Sequence, residues 1–151
     1  MKNMRHLSVK WSTSRGRDSY GWNICTLTDD LTGKKYRTCG GGAFGDMLGT
    51  VFASWMRDVY KQKLLDFANA NPEKVRRLST GVNGYAVTDE RYRLYGFDVI
   101  AEPGKPAHEI SIDGACGLSS MERIAGAIGL HKMWHGTPKG RTQGWTVWEG
   151  E

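Results

Sequence analysis

Basic and aromatic side chains interleave near the N-terminus, and this combination could contact nucleic acid. Lysine and arginine neutralise phosphates and release counterions, while aromatic faces stack on unpaired bases. The basic residues are Lys10, Arg15, Arg17, Lys34, Lys35 and Arg37, and the aromatic residues among them are Trp11, Tyr20, Trp22 and Tyr36. The alternative interpretation is an ordinary solvated charged face whose aromatic residues belong to the core.

The distribution of charge favours the first interpretation. The 151-residue chain has a net charge of +5. Residues 1–75 contain 12 Lys and Arg against 7 Asp and Glu, whereas residues 76–151 contain 9 of each kind. All of the excess positive charge therefore lies in the N-terminal half, and we expect a polyanion to meet that half first.

A run of glycines follows this basic region. Residues 40–45, Gly-Gly-Gly-Ala-Phe-Gly, match the GxGxxG pattern, and Gly40, Gly41 and Gly42 could offer backbone N–H groups to a phosphate. A dinucleotide site is disfavoured because the preceding strand belongs to a predicted hairpin, and because Asp46 would repel a phosphate at the helix start. Generic phosphate contact and a simple glycine turn remain as interpretations.

Two histidines raise the question of a metal site. His131 and His135 would lie one turn apart if a predicted helix extended that far, with His108 or Cys116 as a third ligand. The intervening Met133 and Trp134 are more typical of a packed helix end, so we predict neither a metal nor a cofactor.

Patterns for nucleophilic catalysis are weak. The chain has no GxSxG motif, and no spacing ties a cysteine to a histidine and an acid. Asp46 and Asp113, each near a glycine loop, could form a carboxylate pair, but a helix acid and a turn residue are the simpler interpretation. We therefore predict no catalytic residue.

Short stretches recur in the same order in the two halves of the chain. Residues 20–24 (YGWNI) match 95–99 (YGFDV), the Gly-Lys pair at 33–34 matches 104–105, and the Cys-Gly pair at 39–40 matches 116–117. This recurrence predicts one domain, 1–151, with an internal duplication over approximately 9–70 and 84–130. A duplicated domain also makes a homodimer possible.

Periodicity predicts the elements of each unit. Alternation of apolar and polar residues predicts two hairpins, and spacings of three and four residues predict a helix over 46–68 and a second helix from Ser119 to Leu130. Ser119 and Glu122 form a capping box. Further expectations are a short helix over 73–78, a strand at 9–12, a strand pair at 84–87 and 92–94, and a C-terminal edge strand at 145–148. The fold class is α+β, with one antiparallel sheet built from two duplicated ββα units and two main helices on one face.

Three of these segments resemble a family of small uncharacterised proteins encoded by tailed bacteriophages and prophages. The segments are residues 10–23 (KWSTSRGRDSYGWN), 36–42 (YRTCGGG) and 113–117 (DGACG). The resemblance implies a viral origin and a bacterial host cytoplasm, and it favours nucleic acid, a nucleotide or a host protein as partner. It transfers no activity and no site residue.

The leading hypothesis is a non-enzymatic phage accessory protein that binds DNA, RNA or a phosphorylated ligand through the basic N-terminal hairpin. The predicted contacts are Arg15, Arg17, Lys34, Lys35, Arg37, Gly40, Gly41 and Gly42. The alternative is an inhibitor of a host protein that acts through one side of the sheet or through Trp145 and Trp148, since tryptophan is enriched at binding hot spots. A hydrolase or transferase at the glycine loops is a third possibility. No apolar run approaches the roughly 18 residues of a membrane span, and residues 1–11 do not have the pattern of a signal peptide.

Overall fold

The protein has an α+β fold with two antiparallel sheets. The computed structural model describes residues 4–15, 21–40, 44–81, 84–86, 88–112, 116–136 and 143–150. In chain order the elements are β1 (Met4–Arg15), β2 (Gly21–Asp29), β3 (Lys35–Gly40), α1 (Phe44–Val59), α2 (Lys61–Ala70), a 3₁₀ turn (Pro72–Lys74), β4 (Arg76–Thr80), β5 (Glu90–Leu94), β6 (Phe97–Ala101), β7 (Ala107–Ser111), α3 (Leu118–Ala127), β8 (Leu130–His135) and β9 (Gln143–Glu149).

The larger sheet has five strands in the order β3-β2-β1-β9-β8. The C-terminal strand β9 therefore lies inside the sheet, between β1 and β8, so its prediction as an edge strand was wrong. The edge strand on that side of the sheet is β8, in a segment where the sequence pattern suggested the end of a helix. The helix stops earlier because Gly129 adopts a left-handed conformation, with φ +90°, which redirects the chain into β8.

The smaller sheet has four strands in the order β4-β5-β6-β7. Both predicted hairpins are confirmed, but they belong to different sheets, β2–β3 to the larger and β6–β7 to the smaller. The prediction of one sheet was wrong because periodicity reports which face of a strand is buried, and not which strand lies beside it.

The two halves share an order of elements. Three antiparallel strands precede a helix in β1–β2–β3–α1 and again in β5–β6–β7–α3. The turn glycines that the repeat aligns, Gly33 and Gly104, both have φ +74°. These similarities agree with an internal duplication, which stays a prediction.

Helix α1 forms the centre of the core. Its apolar residues recur every three or four positions, which places Phe52, Trp55 and Met56 on one fully buried face. Phe52 packs against Trp145 of β9, with ring centroids 4.9 Å apart. Trp55 donates its indole N–H to the buried carboxylate of Asp29, at 2.9 Å. The helix thereby covers one face of the larger sheet.

The helix predicted over 46–68 is divided in two at Tyr60. This residue has φ −120° and ψ 27°, outside the helical region, and its buried ring packs edge-on against Trp55 at 5.5 Å. The next segment also differs from expectation. Pro72 opens a 3₁₀ turn that ends at Lys74, and residues 76–80 form strand β4, so the short helix predicted over 73–78 was wrong beyond its first turn.

Helix α3 approaches α1 closely. Its N-cap is Gly117, and no side chain caps it, so the predicted capping box of Ser119 and Glu122 is absent. A Cβ atom on Gly49 of α1 would lie 2.0 Å from the carbonyl oxygen of Cys116. Glycine at position 49 is therefore required for this contact.

The predicted strand pair in the middle of the chain is half correct. Residues 92–94 belong to β5, but its partners are β4 and β6, and the described residues 84–86 form no strand. Within the described ranges, no helix is long and apolar enough to cross a membrane.

Candidate nucleic-acid interface

The face of the larger sheet opposite α1 carries a distinct set of side chains. Since side chains alternate along a strand, the residues between the core positions point away from α1. We call this surface the basic face; its described residues include His6, Ser8, Lys10, Ser12, Thr26, Thr28, Lys35, Arg37, Cys39, His131, Met133, His135, Thr146 and Trp148.

Three permanent cations lie on the basic face. Lys10, Lys35 and Arg37 are exposed, and none of them makes an ion pair within the described residues. Lys10 and Arg37 both oppose Thr26, one from each side, which places their backbones about 10 Å apart. Lys35 and Arg37 are two residues apart on β3, about 7 Å. The three side chains thus form a compact positive patch.

The basic face contains little negative charge. Among its described residues the carboxylate is that of Asp30, which follows β2 and accepts hydrogen bonds from the Ser8 hydroxyl at 3.1 and 3.2 Å. Hydroxyl groups of serine and threonine occupy the positions between the cations. An approaching phosphate therefore meets cations and hydrogen-bond donors on an open surface.

Lys34 points in the opposite direction from Lys35. Its ammonium group forms an ion pair with Asp58 of α1, with Nζ and Oδ2 2.5 Å apart. The phenol of Tyr36 also donates a hydrogen bond to Asp58, at 2.5 Å. The structure therefore separates Lys34 from the two neighbouring basic residues that were predicted to act with it.

These groups line a polar cleft of about 320 Å³ between β3 and α1. The hydrogen bonds from Lys34 and Tyr36 lower the pKa of Asp58, and burial together with Asp58 raises the pKa of Tyr36. The cations at the other end of the cleft are also paired, since Lys61 Nζ lies 2.6 Å from Glu109 Oε1. The cleft is largely neutralised from within, unlike the basic face.

Several predicted contacts lie outside what the structure describes. Gly40 ends β3, opposite Asn23, but Gly41, Gly42 and Arg17 are not among the described residues. Arg15 ends β1, and its side chain is likewise not described. The predicted glycine-loop contacts therefore remain predictions.

A cluster of two histidines around a threonine was missed by the sequence analysis. His6 Nδ1 lies 3.2 Å from the Thr146 hydroxyl oxygen, and His135 Nε2 lies 2.9 Å from the same atom. The three residues come from β1, β8 and β9, and Thr146 is 140 residues from His6. No local pattern in the sequence could have indicated this contact.

His131 and His135 do not form the helical pair that was considered and set aside as a metal site. Both lie on a strand rather than a helix, four residues and about 13 Å apart. Cys116 is buried in the core, and His108 lies on the smaller sheet, 3.4 Å from the buried carboxylate of Asp89. No group of three or more metal-binding side chains occurs in the part of the chain that the structure describes.

The histidine His131 has a different role in the structure. Its imidazole stacks on the indole of Trp148, with centroids 5.7 Å apart and planes inclined by 16°. Trp148 is two residues from Thr146 and on the same face of β9. An aromatic platform therefore lies next to the histidine cluster.

The three cysteines are free. Burial raises the pKa of Cys25 and of Cys116 to about 11, so these thiols remain protonated and unreactive near neutral pH. Cys39 is exposed on the basic face.

Comparison with known proteins found no matching family model, no matching curated protein and no matching solved structure.

Proposed function

We propose that the protein binds single-stranded nucleic acid on the basic face, as an accessory protein of a phage in its bacterial host. The observation that carries the proposal is the arrangement of Lys10, Lys35 and Arg37, which share one exposed face and form no ion pair within the described residues. The phage origin is supported by the sequence resemblance.

A single strand suits this surface better than a duplex. Single-stranded nucleic acid is bound by positive surfaces that also offer aromatic side chains for base stacking. The stacked pair of Trp148 and His131 provides such a platform at the β8 side of the sheet, and the cations lie toward β3. A strand that crosses the sheet from β8 to β3 would meet both.

The proposed site keeps Lys35 and Arg37 from the predicted contacts of the N-terminal hairpin. It does not include Lys34, because Asp58 neutralises that side chain on the opposite face. A small phosphorylated ligand in the polar cleft is the weaker alternative, because it would compete with Asp58 and Glu109 for every cation there.

Fluorescence anisotropy of labelled 12-nucleotide RNA and DNA tests the proposal directly. We expect binding by the native protein at about 50 mM salt, the low end of the range over which phosphate contacts are commonly compared. The double variant Lys35→Ala/Arg37→Ala should bind much more weakly. Lys105→Ala, which removes an exposed lysine beyond the smaller sheet, should bind as the native protein does. The proposal is refuted if the native protein binds neither the RNA nor the DNA.

A host protein is the second candidate partner, and two exposed apolar side chains on the edge strand β8 favour it. Met133 is 52% exposed and Trp134 is 41% exposed. Trp145, which was predicted to take part, is only 3% exposed and packs in the core, so that part of the prediction was wrong. A partner recovered from bacterial lysate after nuclease treatment, and lost with Trp134→Ala, would favour this candidate.

A further inference from the structure

Two imidazoles converge on one hydroxyl group in the middle of the basic face. His6 is directly opposite Thr146 in the register of β1 and β9, and His135 approaches from β8 on the other side. Because the distances to the hydroxyl oxygen are 3.2 and 2.9 Å, the two ring nitrogens are no more than about 6 Å apart.

The Thr146 hydroxyl can bond both imidazoles at once. A threonine hydroxyl has one hydrogen and two lone pairs, so it can donate to one imidazole and accept the N–H of the other. In that arrangement one proton donor and one proton acceptor face the same point, as general acid–base catalysis requires.

The pair is open to a bound strand. His6 and His135 are both exposed, whereas Thr146 between them is only 7% exposed and forms the floor. Position 144, the next residue of β9 on this face, is glycine and has no side chain. A phosphodiester can therefore lie over Thr146 within reach of both imidazoles.

We propose that the basic face cleaves RNA by transphosphorylation, with His6 and His135 as the catalytic acid–base pair. One imidazole removes the proton of a ribose 2′-hydroxyl, whose oxygen attacks the adjacent phosphorus. The bond between phosphorus and O5′ breaks as the new P–O2′ bond forms, and the other imidazole donates a proton to O5′. The products are a 2′,3′-cyclic phosphate and a 5′-hydroxyl end.

The surrounding residues fit this substrate. Trp148 is the next residue after Thr146 on this face of β9, about 7 Å away along the strand. Its stacked pair with His131 can therefore stack a base beside the reacting phosphate. Lys10 lies about 13 Å from His6 along β1 and can contact a neighbouring phosphate. The reaction needs the 2′-hydroxyl, so RNA is the substrate and DNA is bound without cleavage. This inference rests on the proposed function, since the substrate is the strand that the face binds.

Cleavage of a labelled single-stranded RNA, followed in EDTA by gel and mass spectrometry, tests the proposal. The native protein should produce fragments with a 2′,3′-cyclic phosphate. His6→Ala and His135→Ala should each reduce the cleavage rate by about 100-fold or more, the usual effect of losing a general acid or base. His6→Gln keeps a hydrogen-bonding side chain and should be equally inactive. His108→Ala removes an exposed histidine from the other sheet and should cleave normally.

Binding of a 2′-O-methyl RNA of the same sequence separates this inference from the proposed function. The analogue cannot be cleaved, and every histidine variant above should still bind it if folded. Binding without cleavage by the native protein overturns the inference and leaves the proposed function intact. Cleavage that His6→Ala and His135→Ala leave unchanged also overturns it. Absence of binding overturns both.

Discussion

Replacing Arg37 with alanine should change the salt dependence of nucleic-acid binding by a predictable amount. For a single strand, the slope of log K against log salt is about −0.7 for each phosphate contacted. Contacts from Lys10, Lys35 and Arg37 then predict a slope of about −2.1, so that affinity falls about 20-fold between 50 and 200 mM salt. Removal of Arg37 should reduce the slope to about −1.4 and the loss to about 7-fold.

Anisotropy titrations at four or more salt concentrations measure this slope. The matched control is Lys105→Ala, which makes the same change in net charge but lies beyond the smaller sheet, near Glu102. If long-range attraction alone determined binding, the two variants would behave alike. A slope that Arg37→Ala leaves at the native value, or an equal reduction with Lys105→Ala, would refute the assignment of phosphate contacts to the basic face.

Three further results are expected. Gly49→Ala should destabilise the fold by about 1–3 kcal/mol or more in urea unfolding, because the new Cβ meets backbone atoms, whereas Gly45→Ala on the same helix meets nothing within 4 Å and should be neutral or stabilising. Iodoacetamide should modify Cys39 alone in the native protein, and bound RNA should slow that reaction; equal rates with and without RNA would place the strand elsewhere. Asp58→Asn should lower the free energy of unfolding at pH 7 by no more than about 1 kcal/mol, since the ion pair is half-exposed. The lowered pKa of Asp58 means that its contribution is complete above the ordinary carboxyl pKa, about 3.9, and is lost as the pH falls through the lower folded value. The variant and native curves should therefore converge as the pH falls below the ordinary carboxyl pKa.

Local patterns predicted the parts of the fold that depend on nearby residues. The alternation along β2 and β3 identified the first hairpin, and the spacing of Phe52 and Trp55 identified α1. The division of the chain into two sheets was missed, because strand pairing depends on contacts between residues far apart in sequence. The interior position of β9 is an example, since it pairs with a strand about 140 residues earlier.

The same distinction applies to the candidate site. Lys35 and Arg37 are two residues apart in a strand, so their shared face follows from alternation alone. Alternation also places Lys34 on the opposite face, although its neutralisation by Asp58 requires the position of α1. The contact between His6 and Thr146 joins the two ends of the chain, and only the assembled sheet reveals it.

Mapping of amide chemical shifts in ¹⁵N-labelled protein, during titration with single-stranded 2′-O-methyl RNA, tests most directly whether the basic face binds nucleic acid. We expect the largest changes at Lys10, Thr26, Arg37 and Thr146, which lie on β1, β2, β3 and β9, with little change on the smaller sheet. Changes confined to the polar cleft around Asp58, to the smaller sheet, or to no residue at all would contradict this assignment.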